Sequence, residues 1–169
     1  YGWFSADVTT SGHTWTEGTD DNCVSDEATI ASAISIGAYV SKEKYRDYNN
    51  REHDGGAGNL GDIAYFSSYA TPEASYSGQV YPWVTAPGAQ IVSAVNHYSS
   101  EYTTGDYKTD RVNSSTTTPY AVMQGTSMAT PLAAGIVALW LQVAHENGIE
   151  LSLDEIKTIM KETAIRDTY

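Results

Sequence analysis

The sequence predicts an α/β fold: a largely parallel sheet around a central buried helix that carries a serine at its N-terminus. Three observations point there. Runs of small and β-branched residues without charge, at 29–39, 84–86 and 91–94, read as strands, the first covered on both faces. Residues 128–147 form an apolar run too long for a strand and apolar on every side, the pattern of a helix inside a domain. Between strands and helix stands the small-residue turn Gly125-Thr126-Ser127. A chain of 169 residues, 41% hydrophobic, suits one domain with a core of its own.

Taken in order, residues 1–27 are rich in Gly, Thr and Asp with scattered aromatics, and read as an irregular arm. Residues 29–39 are the first buried strand. The stretch 42–59 is charged and Gly-rich, a surface insertion with room for a short hairpin. A short strand is expected at 63–67 and a turn-rich loop at 71–81. Strands 84–86 and 91–94 flank a Pro87-Gly88 turn. Residues 99–119, dominated by Thr, Ser, Asp and Tyr, read as a hairpin or long loop, and 120–123 lead into the serine turn. In the long helix, Leu132, Ala133, Ile136, Val137, Leu139, Trp140, Leu141 and Val143 cover every side. Pro131 falls in its first turn, where a missing N–H does no harm, and Gly148 ends it. Ser152-Leu153-Asp154-Glu155 is a capping box. It opens a second helix with Leu153, Ile156, Ile159 and Met160 on one face.

Composition narrows the function. The net charge is −12, from 21 acidic and 9 basic residues, which argues against nucleic acid and anionic membranes as partners. No span reads as long and apolar enough to cross a membrane. A single cysteine, Cys23, excludes an internal disulfide framework and reads as an incidental thiol in a polar loop. Zinc-ligand spacing is absent, and the four histidines stand apart as surface or packing residues. The chain starts without methionine and without a leader pattern, so a processed or excised fragment is expected. Tyrosine is used 13 times and tryptophan four. Trp3, Trp15, Tyr76, Tyr81, Trp83, Tyr98, Tyr102 and Tyr107 lie in polar segments, where aromatics anchor long loops to a scaffold or bind sugars and peptides.

Ser127 is the candidate for chemistry. At the start of a helix, unpaired backbone N–H groups and the positive end of the helix dipole suit a developing oxyanion. Taken alone, the residue reads first as an N-cap, since Ser is a preferred residue there. The string Gly125-Thr126-Ser127-Met128-Ala129-Thr130-Pro131, followed by Leu132-Ala133-Ala134-Gly135, resembles the active-site serine motif of the subtilisin-like serine proteases, the subtilases. The usual His after the motif proline is Leu132 here, and that His is not a triad member. Residues 28–39, ending Gly37-Ala38-Tyr39, resemble the family's V-G-A strand. Residues 61–68, with Phe66-Ser67-Ser68, resemble its F-S-S segment. Residues 84–94, with Ala86-Pro87-Gly88, resemble its A-P-G segment, and 153–163 its closing helix. The blocks come in family order across residues 28–165, so residues 1–169 read as the C-terminal part of a subtilase catalytic domain.

The resemblance implies a serine endopeptidase with Ser127 as nucleophile and its backbone N–H as an oxyanion donor, supported by Gly125, Thr126, Met128 and Pro131. It also exposes what is missing. The family's D-[ST]-G and H-G-T motifs occur nowhere. Asp54-Gly55-Gly56, His13-Thr14 and His53-Asp54 do not match them. Ala57-Gly58-Asn59 imitates the oxyanion-asparagine motif but follows the V-G-A strand instead of preceding it, so Asn59 reads as a turn residue. A serine hydroxyl without its base is a weak nucleophile. In subtilisin, loss of the triad costs about a millionfold, and loss of the asparagine donor about 3 to 4 kcal/mol more. The chain alone is expected to be close to inert. Peptide substrates, the N-terminal half of its own catalytic domain as partner, self-association through the uncovered sheet edge, and export to the cell envelope or beyond are further implications. No cofactor is expected; calcium enters only by family analogy, without an assignable site.

Two other readings compete. An α/β-hydrolase elbow needs a glycine where Ala129 stands, and an acid and a histidine after the serine. Only His145 follows, about 27 Å along the same helix, which removes that reading. A non-catalytic binding module on a subtilase-derived scaffold, using the acidic, aromatic-rich loops, stays open as the alternative.

Overall fold

The computed structural model describes residues 8–10, 12–15, 21–73, 75, 78–96, 98 and 120–165. Among the described residues, eight short strands and two α-helices make an α/β fold: β1 Val8–Thr10, β2 His13–Trp15, β3 Ile36–Tyr39, β4 Lys44–Arg46, β5 Glu52–Asp54, β6 Val84–Pro87, β7 Ile91–Ala94, β8 Tyr120–Met123, α1 Thr126–Glu146 and α2 Leu153–Thr163. They form four two-stranded sheets. Of these described strands only β3 and β6 pair in parallel, with Ile36 opposite Val84 and Ala38 opposite Ala86. β1–β2, β4–β5 and β7–β8 are antiparallel. The expected largely parallel sheet is therefore present among the described residues as a single parallel pair.

Two strand boundaries differ from expectation. The run 29–39 is extended strand only from Ile36; a 3-10 turn at Asp26–Ala28 and a turn at 31–32 precede it. The stretch 63–67 makes one bridge, Ile63 to Tyr39, and then turns. The reason is visible at Ser67, whose Oγ accepts a 2.9 Å hydrogen bond from the Ala38 amide. The Ala64 amide donates to the Ala38 carbonyl at 3.0 Å. A side-chain hydroxyl thus replaces a strand carbonyl on that edge of β3, and the chain is released from strand geometry. The arm expected to be irregular contains the β1–β2 hairpin. The insertion at 42–59 holds the β4–β5 hairpin. Residues 99–119, His97, Trp3, Tyr76, Tyr102 and Tyr107 lie outside the described residues.

α1 packs against β3 and β6 through small side chains. Its buried residues are Ala129, Ala133 and Ala144. The core it joins is also made of small groups, among them Ala38, Ala64, Ala86 and Ala89, with Val40 as its largest fully buried apolar side chain. Its all-round apolar sequence predicts a helix inside a domain. In the structure Leu139 is 62% exposed, Val143 58% and Ile136 48%. The helix occupies a central position but is bare on its outer faces. By length and composition α1 also passes as a membrane-crossing helix, which corrects the reading that no such span exists. The core helix of a globular domain passes the same test, since both must be apolar all round.

α2 is amphipathic. Ile156 and Met160 are buried. The capping box forms as expected: the Ser152 hydroxyl accepts from the Glu155 amide, and the Glu155 carboxylate accepts from the Ser152 amide at 2.8 Å. Trp83 ties α2 to the sheet. Its indole N–H donates to the Lys157 carbonyl at 3.0 Å, and the Lys157 and Lys161 ammonium groups lie 5.9 and 5.2 Å from its ring. Tyr81 donates its hydroxyl to the Thr29 carbonyl at 3.0 Å. These two aromatics act as anchors, whereas Tyr98 is 90% exposed.

Candidate active site

The serine turn is held by backbone. The Gly125 amide donates to the Gly88 carbonyl at 2.8 Å, joining the start of α1 to the Pro87-Gly88 turn after β6. Gly88 must be glycine for this contact, because a Cβ there would lie 2.4 Å from the Ala38 Cβ and 3.0 Å from the Gly125 carbonyl oxygen. Gly125 has φ 148°, and its carbonyl accepts from the Met128 amide at 3.0 Å and the Ala129 amide at 3.3 Å. Gly125 is therefore the N-cap and Thr126 the first helical residue. Ser127 is the second helical residue and does not cap the helix, which removes the N-cap reading for it. Its side chain is exposed. Its amide lies in the first turn, where the helix supplies no acceptor. Thr130 turns back on the helix, donating its hydroxyl to the Thr126 carbonyl at 2.9 Å. Pro131 is exposed and, because α1 begins at Thr126, is its sixth residue and lies past the first turn expected for it, so its missing N–H leaves the Ser127 carbonyl without the usual helical donor.

The residues named from the motif thus stand together: Gly125, Thr126, Ser127, Met128 and Pro131 all belong to one turn and the first turns of α1. Two contributors were not singled out as site residues by the sequence. One is the Gly88 carbonyl, whose signal was the Ala86-Pro87-Gly88 string. The other is the buried Gln90, which carried no signal because only the fold brings it to Gln124.

The histidines were read as isolated. His53 is not: its Nε2 lies 3.1 Å from Asp47 Oδ2, and its ring stacks on Tyr45 with centroids 5.1 Å apart. Asp47 is fully buried and also accepts from the Arg51 amide at 2.8 Å. Burial pushes its carboxyl up, but the hydrogen bonds from the Arg51 amide, the His53 ring and the Asn49 amide outweigh burial and hold it below its ordinary value. This pair is internal to the β4–β5 hairpin, and no hydrogen bond or ion pair joins it to Ser127 among the described residues. His13 lies in β2 and His145 near the far end of α1. Asn59 opens a turn, its carbonyl accepting from the Asp62 amide at 3.1 Å, as expected. Cys23 is exposed. Among the described residues no group of three or more acidic, histidine or cysteine side chains converges.

A parallel strand pair, a turn lined by Gly88 and Gly125, and a serine exposed in the first turn of an apolar helix define the site of an α/β protein. The subtilase family model matches residues 8–168, and the chain belongs to the subtilase family, a family of serine proteases. The serine protease AprX of Bacillus subtilis (strain 168) is 36% identical over 97 residues, 56% of this chain and 19% of that protein. Pyrolysin of Pyrococcus furiosus is 32% identical over 135 residues, 79% of this chain and 8% of that protein. The chain therefore spans less than a fifth of the length of either relative. No solved structure matches it significantly.

Proposed function

We propose that the chain is the serine-bearing part of a subtilisin-like endopeptidase whose Asp and His lie upstream of it in a longer polypeptide. The exposed serine in the first turn of α1, within a family string of seven residues, carries this reading. Ser127 Oγ would attack the scissile carbonyl, its proton passing to the upstream histidine and on to the departing amine. Water would then release the acyl group. The Ser127 amide would donate to the oxyanion, with Gly125 and Thr126 setting the turn and Met128 and Pro131 the first turn of the helix. Substrates would be proteins or peptides, and neither nucleic acid nor a membrane is needed. No metal or organic cofactor takes part in these steps. A secreted or envelope location is the family expectation.

The upstream half is proposed as the partner that covers α1. A groove of about 280 Å³ runs between the helix and the start of β3, lined by Ile34, Ile36, Ala133, Val137, Leu141 and Met160. Left open, such apolar surface favours association. Without its partner the chain is expected to self-associate.

The test is expression of the complete gene product, or of this chain with the upstream segment that carries the D-[ST]-G and H-G-T motifs. Proteolysis that Ser127→Ala reduces by about a millionfold is expected. The chain alone should not label with a fluorophosphonate. Stoichiometric labelling of the chain alone would reveal a base within it, with His53 and His97 as the candidates. A stable monomer that ignores the upstream segment would overturn the split-domain reading in favour of a binding module.

A further inference from the structure

The β4–β5 hairpin looks in sequence like a surface insertion, but the residue that follows it, Gly55, lies against Gln90 in the β6–β7 turn. Gln90, in the β6–β7 turn, is 4% exposed and holds a left-handed backbone, φ 54°, without being glycine. Such a conformation costs energy and persists only where its surroundings fix it. Its Nε2 donates to Gln124 Oε1 at 2.7 Å, and Gln124 is the residue immediately before Gly125. On its other side the Gln90 amide lies against Gly55, the residue after β5. A Cβ on Gly55 would come within 1.5 Å of Gln90 Nε2. Gly55 is itself pinned, its amide donating to the Glu43 carbonyl at 2.9 Å. The hairpin behind it is stiffened by the buried Asp47 with its bonds from Arg51 and His53.

We propose that Gln90 is a positioning residue for Ser127 and that the β4–β5 hairpin is its backstop. Gly55 confines the Gln90 amide, Gln90 holds Gln124, and Gln124 fixes the entry of the chain into the Gly125 turn. The Gly125–Gly88 backbone bond secures the next residue. Two adjacent residues are thereby clamped just ahead of the serine, by one side-chain and one backbone bond. This function of the clamp rests on the reading of Ser127 as nucleophile; the clamp itself is a geometric claim that can be tested without activity.

Two readouts separate them. The first is hydrogen exchange at the Gly125 amide in the folded chain. Gln124→Met keeps the length of a surface side chain and removes the acceptor. Its expected effect is about tenfold faster exchange at Gly125, the size of one lost hydrogen bond. Gln90→Met should do the same, and the double variant no more than either alone. Gly55→Ala should also speed Gly125 exchange by displacing the Gln90 amide, with no added effect once Gln90 is Met. Unchanged exchange in Gln124→Met, or additive effects in the double variant, overturns the clamp. The second readout is kinetic, on the complete protease normalised to sites titrated with a fluorophosphonate. The clamp predicts kcat about tenfold lower in Gln124→Met with KM unchanged. A loss confined to the number of titratable sites would mean the pair only supports folding, and overturns the positioning role. If Ser127→Ala leaves proteolysis intact, the nucleophile reading fails, and the exchange data still decide the clamp.

Discussion

Helices α1 and α2 differ in how much of their apolar surface this chain can cover. α2 has eleven residues, one apolar face, a complete capping box and a buried pair, Ile156 and Met160. α1 has 21 residues, buries only alanines and leaves Ile136, Leu139, Leu141 and Val143 substantially exposed. Local rules account for α2: its face matches the surface beneath it and its first turn is satisfied by its own side chains. They do not account for α1, whose apolar pattern exceeds what the described residues can bury. A helix covered on its apolar face and a helix left bare respond differently to mutation, and that difference can be measured.

The largest effect is expected at Ile156. Ile156→Ala removes a buried side chain and should lower the stability of the chain by about 2 to 4 kcal/mol in denaturant titration. The comparison change, Leu139→Ala on the bare face of α1, should cost less than about 0.5 kcal/mol in the monomer. Equal costs would mean that α1 is covered in solution. Association probes the same contrast from the other side. Leu139→Lys should weaken self-association of the isolated chain by about tenfold, read by sedimentation, because a Leu-sized apolar contact is worth at least that factor. An unaltered association constant would place the contact elsewhere.

A smaller loss is expected at the cap. Ser152→Ala should destabilise α2 by about 1 kcal/mol without altering association, since it removes a first-turn acceptor distant from the α1 face. The smallest effect is local and depends on pH. The Asp47 carboxyl is held below its ordinary value of 3.8 in the folded hairpin. A depressed folded value means that its contribution is fully present above about pH 4 and is lost as pH falls through the folded value. The Tyr45–His53 stack should therefore loosen only in acid, followed through the ring resonances of those two residues. Asp47→Asn should remove that acid transition. Loosening between pH 5 and 8 in the parent would assign the transition to another group.

Much of the site was legible without coordinates. The turn from Gly125 to Ser127, the helix behind it, the capping box at Ser152 and the strands at 84–87 and 91–94 rest on short-range rules: turn chemistry, helical periodicity and first-turn satisfaction. What was misread rests on contacts between distant residues. Residues 63–67 have strand composition, yet the Ser67 hydroxyl bonds across to Ala38 and ends the strand early. His53 looked solitary because Asp47 faces it only once the hairpin folds, and Gln90 looked featureless because Gly55 and Gln124 reach it from 35 and 34 positions away. The cap assigned to Ser127 moved to Gly125 because the Gly88 carbonyl captures the Gly125 amide and sets where the helix begins.

By itself the sequence determined the family, the serine turn and the apolar character of α1, because each is written in consecutive residues. Only the tertiary structure decided how few of the described strands pair in parallel, which faces of α1 lie bare and how Gly55, after the β4–β5 hairpin, meets Gln90. Those outcomes depend on which surfaces find a partner across the fold, and an apolar side chain carries no mark of whether its partner is present.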